Sequence, residues 1–202
     1  MDIAKIVNRG KNILLVPKNE WPIIAAEKAG HVQMLTHWLL PLSLIPAVAA
    51  LIGFGIIGYS MDMPFVGKVH VASMNLGIRQ ALLQLMAILG GAGLTAFIVN
   101  ALAEKYASEK NLDQAFALIA YSYTPICLGG IFLLIPSLAI IGSLLGLYGL
   151  YLLYIGLPFM MKTPPEKNTG YFVVSLLCVI GVFIVLSAVL AAIFIPSTAF
   201  QV

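Results

Sequence analysis

Charge is scarce in this chain. Lys, Arg, Asp and Glu together make up 9% of its 202 residues, while 61% are hydrophobic; a soluble domain carries about 25% charged residues. With a mean hydropathy of +1.01, that balance excludes a soluble globular domain and indicates an integral membrane protein. Cysteine is scarce too. Cys127 and Cys178 are the only two, and their spacing excludes both a CxxC site and a disulfide framework. Catalytic signatures are also missing: there is no GxSxG, no HExxH, no P-loop and no pair of carboxylates within an apolar run. The expectation is therefore no enzyme, no catalytic residue, no cofactor and no metal. The net charge of +3 describes a basic rim facing lipid headgroups and gives no ground for a nucleic-acid partner.

What the chain does have is long apolar runs. From Gln114 to Met161 there is no Asp, Glu, Lys, Arg or His. At about 1.5 Å per residue this stretch would make a helix of roughly 70 Å, more than twice a hydrocarbon core of about 30 Å. It must turn back, and Pro136 in LIPSLAI marks the turn. Adding Trp38–Met61, Gln80–Ala103 and Gly170–Val202 gives five crossings. The expected fold is an all-α polytopic bundle with spans at about 36–59, 79–103, 114–135, 138–161 and 171–195. A cytoplasmic or interfacial segment over 1–33 precedes it, carrying one or two helices. No signal peptide is expected, because Asn8, Arg9, Gly10, Lys11 and Asn12 interrupt the first apolar residues.

Lys and Arg orient the bundle, since short cytoplasmic loops retain them. With the N-terminus inside, Lys5, Arg9, Lys11, Lys18, Lys28, Lys105, Lys110, Lys162 and Lys167 are cytoplasmic, and only Lys68 and Arg79 lie outside. An N-in, C-out topology follows.

Residues 1–16 read as a short basic amphipathic helix or a basic tail, with Gly10 as a break. After the Pro17-Lys18-Asn19-Glu20-Trp21-Pro22 cluster, a second cytoplasmic helix is expected from Ile23 to about His31, carrying Glu27, Lys28 and His31, with Trp21 suited to the membrane interface. Glu27 and His31, at i and i+4, with His37 form a weak metal-ligand pattern; helix-surface polarity or an ion pair is the simpler reading. The literal GxGxxG of Gly53, Gly55 and Gly58 lacks the strand and acidic residue of a dinucleotide site and reads as helix packing. The Gly90-Gly91-Ala92-Gly93 run reads the same way. Asn111 or Asp113 caps the third span, Asp113 having Lys28 or His31 as an alternative partner.

The hairpin carries the sharpest features. Pro125 removes a backbone donor, so a kink is expected near Tyr121, with Ser122, Thr124 and the hydroxyls of Tyr121 and Tyr123 as local partners for freed carbonyls. In the fourth span, an advance of 100° per residue places Gly142, Gly146, Gly149 and Gly156 on one face and Tyr148, Tyr151 and Tyr154 nearly opposite. The glycine face is expected to pack against a neighbouring helix. The tyrosines must satisfy their hydroxyls, either by bonding neighbouring carbonyls and the Tyr121–Thr124 cluster or by lining a lateral groove for an amphipathic ligand. Tyr121, Tyr123, Pro125, Tyr148, Tyr151 and Tyr154 thus form the candidate ligand or partner surface. Trp21, Glu27, His31 and Asp113 are the interfacial candidates.

The run Val16-Pro17-Lys18-Asn19-Glu20-Trp21-Pro22-Ile23-Ile24-Ala25-Ala26-Glu27 resembles the Pro-x-x-x-Trp-x-x-Ile opening segment of the bacterial branch of the Yip family, the Ypt/Rab-interacting membrane proteins. Tyr121–Pro125 and Tyr148–Pro158 are similar to that family's aromatic and glycine-rich third and fourth spans. The resemblance implies five spans, a cytosolic N-terminus and a bacterial inner-membrane location. Eukaryotic members are associated with vesicle trafficking and small GTPases; a bacterial chain with so short a cytosolic segment has no Rab to bind. The expected function is non-enzymatic, acting through membrane lipids and a membrane-protein partner or homo-oligomer in membrane organisation. A transporter or channel for lipid or a small amphipathic solute, using a groove beside the third and fourth spans, is the alternative.

Overall fold

The computed structural model describes residues 3–27, 29–63 and 67–194; Lys28 lies outside them. Two short helices, α1 (Ile3–Leu15) and α2 (Pro17–Glu27), precede five helices long and apolar enough to cross a membrane. These are the first span (His31–Ile57), the second (Met74–Tyr106), the third (Leu112–Leu134), the fourth (Pro136–Met160) and the fifth (Pro165–Phe194). The fold is essentially all-α. A departure from the expected helix-and-loop pattern follows the first span, where β1 (Tyr59–Met63) pairs antiparallel with β2 (Gly67–Val71), Tyr59 opposite Val71 and Met63 opposite Gly67. Gly58 leads into it with φ 74°, a left-handed conformation that glycine adopts without a Cβ penalty.

The proline positions account for the breaks. The third span is α-helical over Leu112–Ser122, interrupted at Tyr123, helical again over Thr124–Gly129 and tightened to a 3₁₀ turn over Gly130–Leu134. The interruption falls at Tyr123, two residues before Pro125 and two after the Tyr121 position expected for the kink; its cause is a residue that cannot donate to the preceding turn. Ile135 is extended, with φ −118° and ψ 98°, the conformation imposed on a residue before proline. Pro136 then starts the fourth span, where a missing backbone N–H costs nothing.

Between apolar helices in lipid there is little hydrophobic driving force, so close contact depends on small residues. The third span is the most enclosed and the fifth the least. A Cβ on Gly77 would lie 2.7 Å from the Cα of Gly55, so the first and second spans touch backbone to backbone. The GxGxxG pattern is thus a packing surface. Gly91 of the second span meets the Phe183 ring of the fifth, while Ala92, Ala96, Val99 and Ala103 are fully buried.

The charged connections gather at one end. Glu109 donates its backbone N–H to the Met161 carbonyl at 2.8 Å, and Ser108 Oγ donates to Thr163 Oγ1 at 2.9 Å, tying the second-to-third loop to the fourth-to-fifth loop. Lys162 pairs with Glu109, and Lys110 with Glu104 at 3.2 Å.

Candidate functional site

α1 and α2 form a helical hairpin that enters the bundle from this charged end. Trp21 of α2 is fully buried, not placed at an interface: a Cβ on Gly156 would lie 2.7 Å from its ring, and 2.6 Å from Leu118 Cδ1. The ring seats itself where the fourth span has no side chain. Deeper in, the Tyr148 hydroxyl donates to the Leu14 carbonyl at 2.6 Å. Tyr148 stands twelve residues before Met160, about 18 Å along the axis at about 1.5 Å per residue. The tip of the hairpin, with Leu15 and Val16 exposed, therefore reaches roughly halfway along the bundle. Gly10 does not break α1; the Trp38 ring of the first span lies beside it.

One ion network staples this hairpin. Arg9 of α1 donates to Glu20 at 2.5 Å and also pairs with Glu27, both on α2. Burial of the guanidinium disfavours its charge, but the Glu27 and Glu20 carboxylates beside it outweigh this and raise the Arg9 pKa above its ordinary value. The sequence alone does not mark Arg9 and Glu20, because nothing local pairs two residues eleven positions apart. The seven-residue spacing of Glu20 and Glu27, which puts both on one face of α2, was the available signal. The metal pattern dissolves into separate partnerships. Glu27 goes to Arg9, His37 Nδ1 sits 2.8 Å from Thr36 Oγ1, and His31 takes Asp113 twice, by backbone N–H at 2.8 Å and ring nitrogen at 2.5 Å. Asn111, not Asp113, caps the third span, accepting from the Gln114 N–H at 3.2 Å.

The glycine face of the fourth span lies against the third. A Cβ on Gly149 would meet the Ser122 carbonyl at 2.5 Å, and one on Gly142 would strike the Gly129 carbonyl. Gly146, further out, would reach Ile126 at 3.4 Å. Because these helices meet through backbone, they leave unfilled volume beside the contact. A cavity of about 320 Å³ lies there, with a buried floor of Ser122, Gly142 and Gly149 and walls that include Thr95, Tyr123 and Phe183. It continues between the fourth and fifth spans into a shallower hollow past Leu150, Val179, Ile180 and Ile184. Its volume is at the lower end of ligand pockets, about 300–1,000 Å³. Among the described residues, no Asp, Glu, Lys, Arg, His or Cys lines it.

The six residues expected to share one ligand surface are divided among three places. Residues two apart on a helix point about 200° from each other, so Tyr121 and Tyr123 face opposite ways. Tyr121 is buried, its ring centroid 4.6 Å from that of Trp38. Tyr123 lines the cavity, its hydroxyl 3.4 Å from Thr95 Oγ1. Pro125 is buried in the helix core. Tyr148, Tyr151 and Tyr154 share the face opposite the glycines but build no groove. Tyr148 caps α1, Tyr151 is exposed against the Tyr148 ring, and Tyr154 sits 3.5 Å from Thr169 Oγ1 and edge-on to Phe172. The open volume lies on the smooth side because glycine leaves it and tyrosine fills it.

Comparison with known proteins agrees with this architecture. The chain is similar to the inner membrane protein YohC of Escherichia coli (strain K12), with 28% identity over 158 residues, covering 77% of this chain and 80% of the relative. The same protein of Escherichia coli O6:H1 matches over the same extent. No solved structure matches. Residues 11–197 match the Yip1 domain, a stretch that takes in α2, all five long helices and the cavity between them. The chain belongs to the Yip1 domain family of membrane proteins.

Proposed function

We propose that this chain is a non-enzymatic inner-membrane protein that works by holding lipid laterally in the cavity beside the third and fourth spans, as part of membrane organisation. The N-terminal hairpin and the charged loops face the cytoplasm in this reading, and the C-terminus is external, in keeping with the distribution of Lys and Arg. The observation that carries it is the lining: an uncharged cavity of about 320 Å³ that runs out between two lipid-facing helices. Ion or proton transfer uses ionisable groups inside the spans, and the cavity wall holds no carboxylate, amine, guanidinium or imidazole among the described residues. An acyl chain needs none of these.

The test is native mass spectrometry of the full chain gently extracted from membranes. Wild type is expected to carry bound lipid, and Gly146→Phe, which fills the passage between the two hollows, is expected to lose at least tenfold of it. Equal lipid occupancy in both proteins would sink the reading. Reconstitution into liposomes with fluorescent lipid then separates holding from transfer.

A further inference from the structure

The cavity is not uniformly apolar. Ser122 is 4% exposed and its Oγ has no hydrogen-bond partner among the described residues. A buried hydroxyl left unpaired is costly, so this one suits a polar atom of an occupant. The Thr95 and Tyr123 hydroxyls, at the long separation of 3.4 Å from each other, stand in the same wall. Ser122 lies ten residues into the third span and Thr95 eleven residues before the end of the second, about 15 Å from the charged end in each case. The hydroxyls are thus near the middle of the hydrocarbon core.

That depth constrains the occupant. A phosphate or ammonium headgroup brought to mid-bilayer needs a countercharge, because a bare charge there is strongly disfavoured. Among the described residues the cavity wall supplies none. Hydroxyls that can donate suit a neutral carbonyl. The rest of the wall is mostly aliphatic side chains and glycine, with the neutral polar groups of Gln84 and Ser143 and two rings, Tyr123 and Phe183; Gly91 lies beside both rings, its hypothetical Cβ 3.1 Å from Phe183 Cζ and 3.7 Å from the Tyr123 hydroxyl. A flat head fits beside such rings. The opening between the fourth and fifth spans, past Leu150, Val179 and Ile184, accepts a tail.

We infer that the cavity takes a membrane quinone, a neutral lipid with a flat carbonyl-bearing head and one apolar tail, with the Ser122 and Tyr123 hydroxyls donating to the head. This rests on the lateral lipid-holding role proposed above and names its ligand class.

The experiment uses the full chain in nanodiscs of phosphatidylcholine, offered decylubiquinone, dioleoylglycerol or dioleoylphosphatidylglycerol, with bound lipid counted by native mass spectrometry. Wild type is expected to retain decylubiquinone at least tenfold over the other two. Ser122→Ala with Tyr123→Phe is expected to lose at least tenfold of that retention, while Tyr151→Phe, on the opposite face, keeps it. Wild-type selectivity alone decides the ligand class even if the double variant folds poorly. Preference for dioleoylglycerol or the phospholipid, lost in Gly146→Phe, would overturn the quinone assignment and leave lipid holding intact. No lipid sensitive to Gly146→Phe would remove both. Full quinone retention in a folded double variant would overturn the hydroxyl contact.

Discussion

The Tyr148 hydroxyl donates to the Leu14 carbonyl across 134 residues of chain at 2.6 Å. Leu14 is in the last turn of α1, where carbonyls have no partner within the helix. A membrane interior supplies no water to satisfy them, so the fourth span does so. Of the three tyrosines on that face, one anchors the N-terminal hairpin.

Tyr148→Phe keeps the ring and removes this bond. It should destabilise the chain by about 1 kcal/mol, the usual net value of one hydrogen bond, and raise amide exchange across α1. Tyr151→Phe should be neutral, since Tyr151 is 42% exposed. Thermal shift in detergent and hydrogen–deuterium exchange read both effects. Equal behaviour of the two variants would mean that Tyr148 does not hold the hairpin.

Arg9 makes the second attachment. Its side chain is 10% exposed and that of Glu20 is 6% exposed. Arg9→Met leaves the Glu20 carboxylate buried without a countercharge and should cost about 3 kcal/mol, the lower range for breaking a buried pair. Replacing both residues by Met should recover most of that loss, because no orphaned charge remains and Glu27, at 40% exposure, stays hydrated. A double variant no better than Arg9→Met would show that the pair acts by geometry more than by charge neutralisation.

The five long helices were legible because lipid imposes a composition and a length that few other settings demand, and the Pro125 and Pro136 breaks followed from missing N–H groups. The separation of Gly142, Gly149 and Gly156 from Tyr148 and Tyr154 was legible from angular period alone. What each face meets was not. Hydropathy separates water from everything else, and cannot tell lipid from a neighbouring helix. Trp21 read as interfacial for that reason, although it fills the space over Gly156. A groove on the tyrosine side is one of two readings open from the sequence, because hydroxyls call for partners; backbone contact at Gly149 leaves the space on the other side. The Arg9–Glu20 pair needed the α1–α2 turn, and nothing short-range encodes it.

Orientation yields to labelling. With Cys127 and Cys178 replaced by Ser, Asp62→Cys in β1 and Lys110→Cys in the second-to-third loop stand at opposite ends of the bundle. A membrane-impermeant maleimide on intact spheroplasts should label the first and reach the second only after lysis. The reverse pattern would place the N-terminal hairpin outside.

Glycines of this chain divide by what a methyl group would meet. Around Gly90 there is nothing within 4 Å, whereas at Gly156 the methyl would sit 2.6 Å from Leu118 and 2.7 Å from the Trp21 ring. Both lie inside helices, so alanine brings each the same backbone advantage of about 0.5–1 kcal/mol. Gly90→Ala should therefore stabilise the chain by roughly that amount. Gly156→Ala must push Trp21 out of its seat, and overpacking of this kind costs about 1–3 kcal/mol, which outweighs the backbone gain. The net is a loss, accompanied by a red-shifted Trp fluorescence as the buried ring meets a more polar surrounding. If Gly156→Ala instead raised the melting temperature with unchanged fluorescence, the hairpin would not depend on a smooth fourth span, and α2 would be held by the Arg9 network, the Tyr148 bond and the hydrogen bond from Gln114 Nε2 to the Ala25 carbonyl.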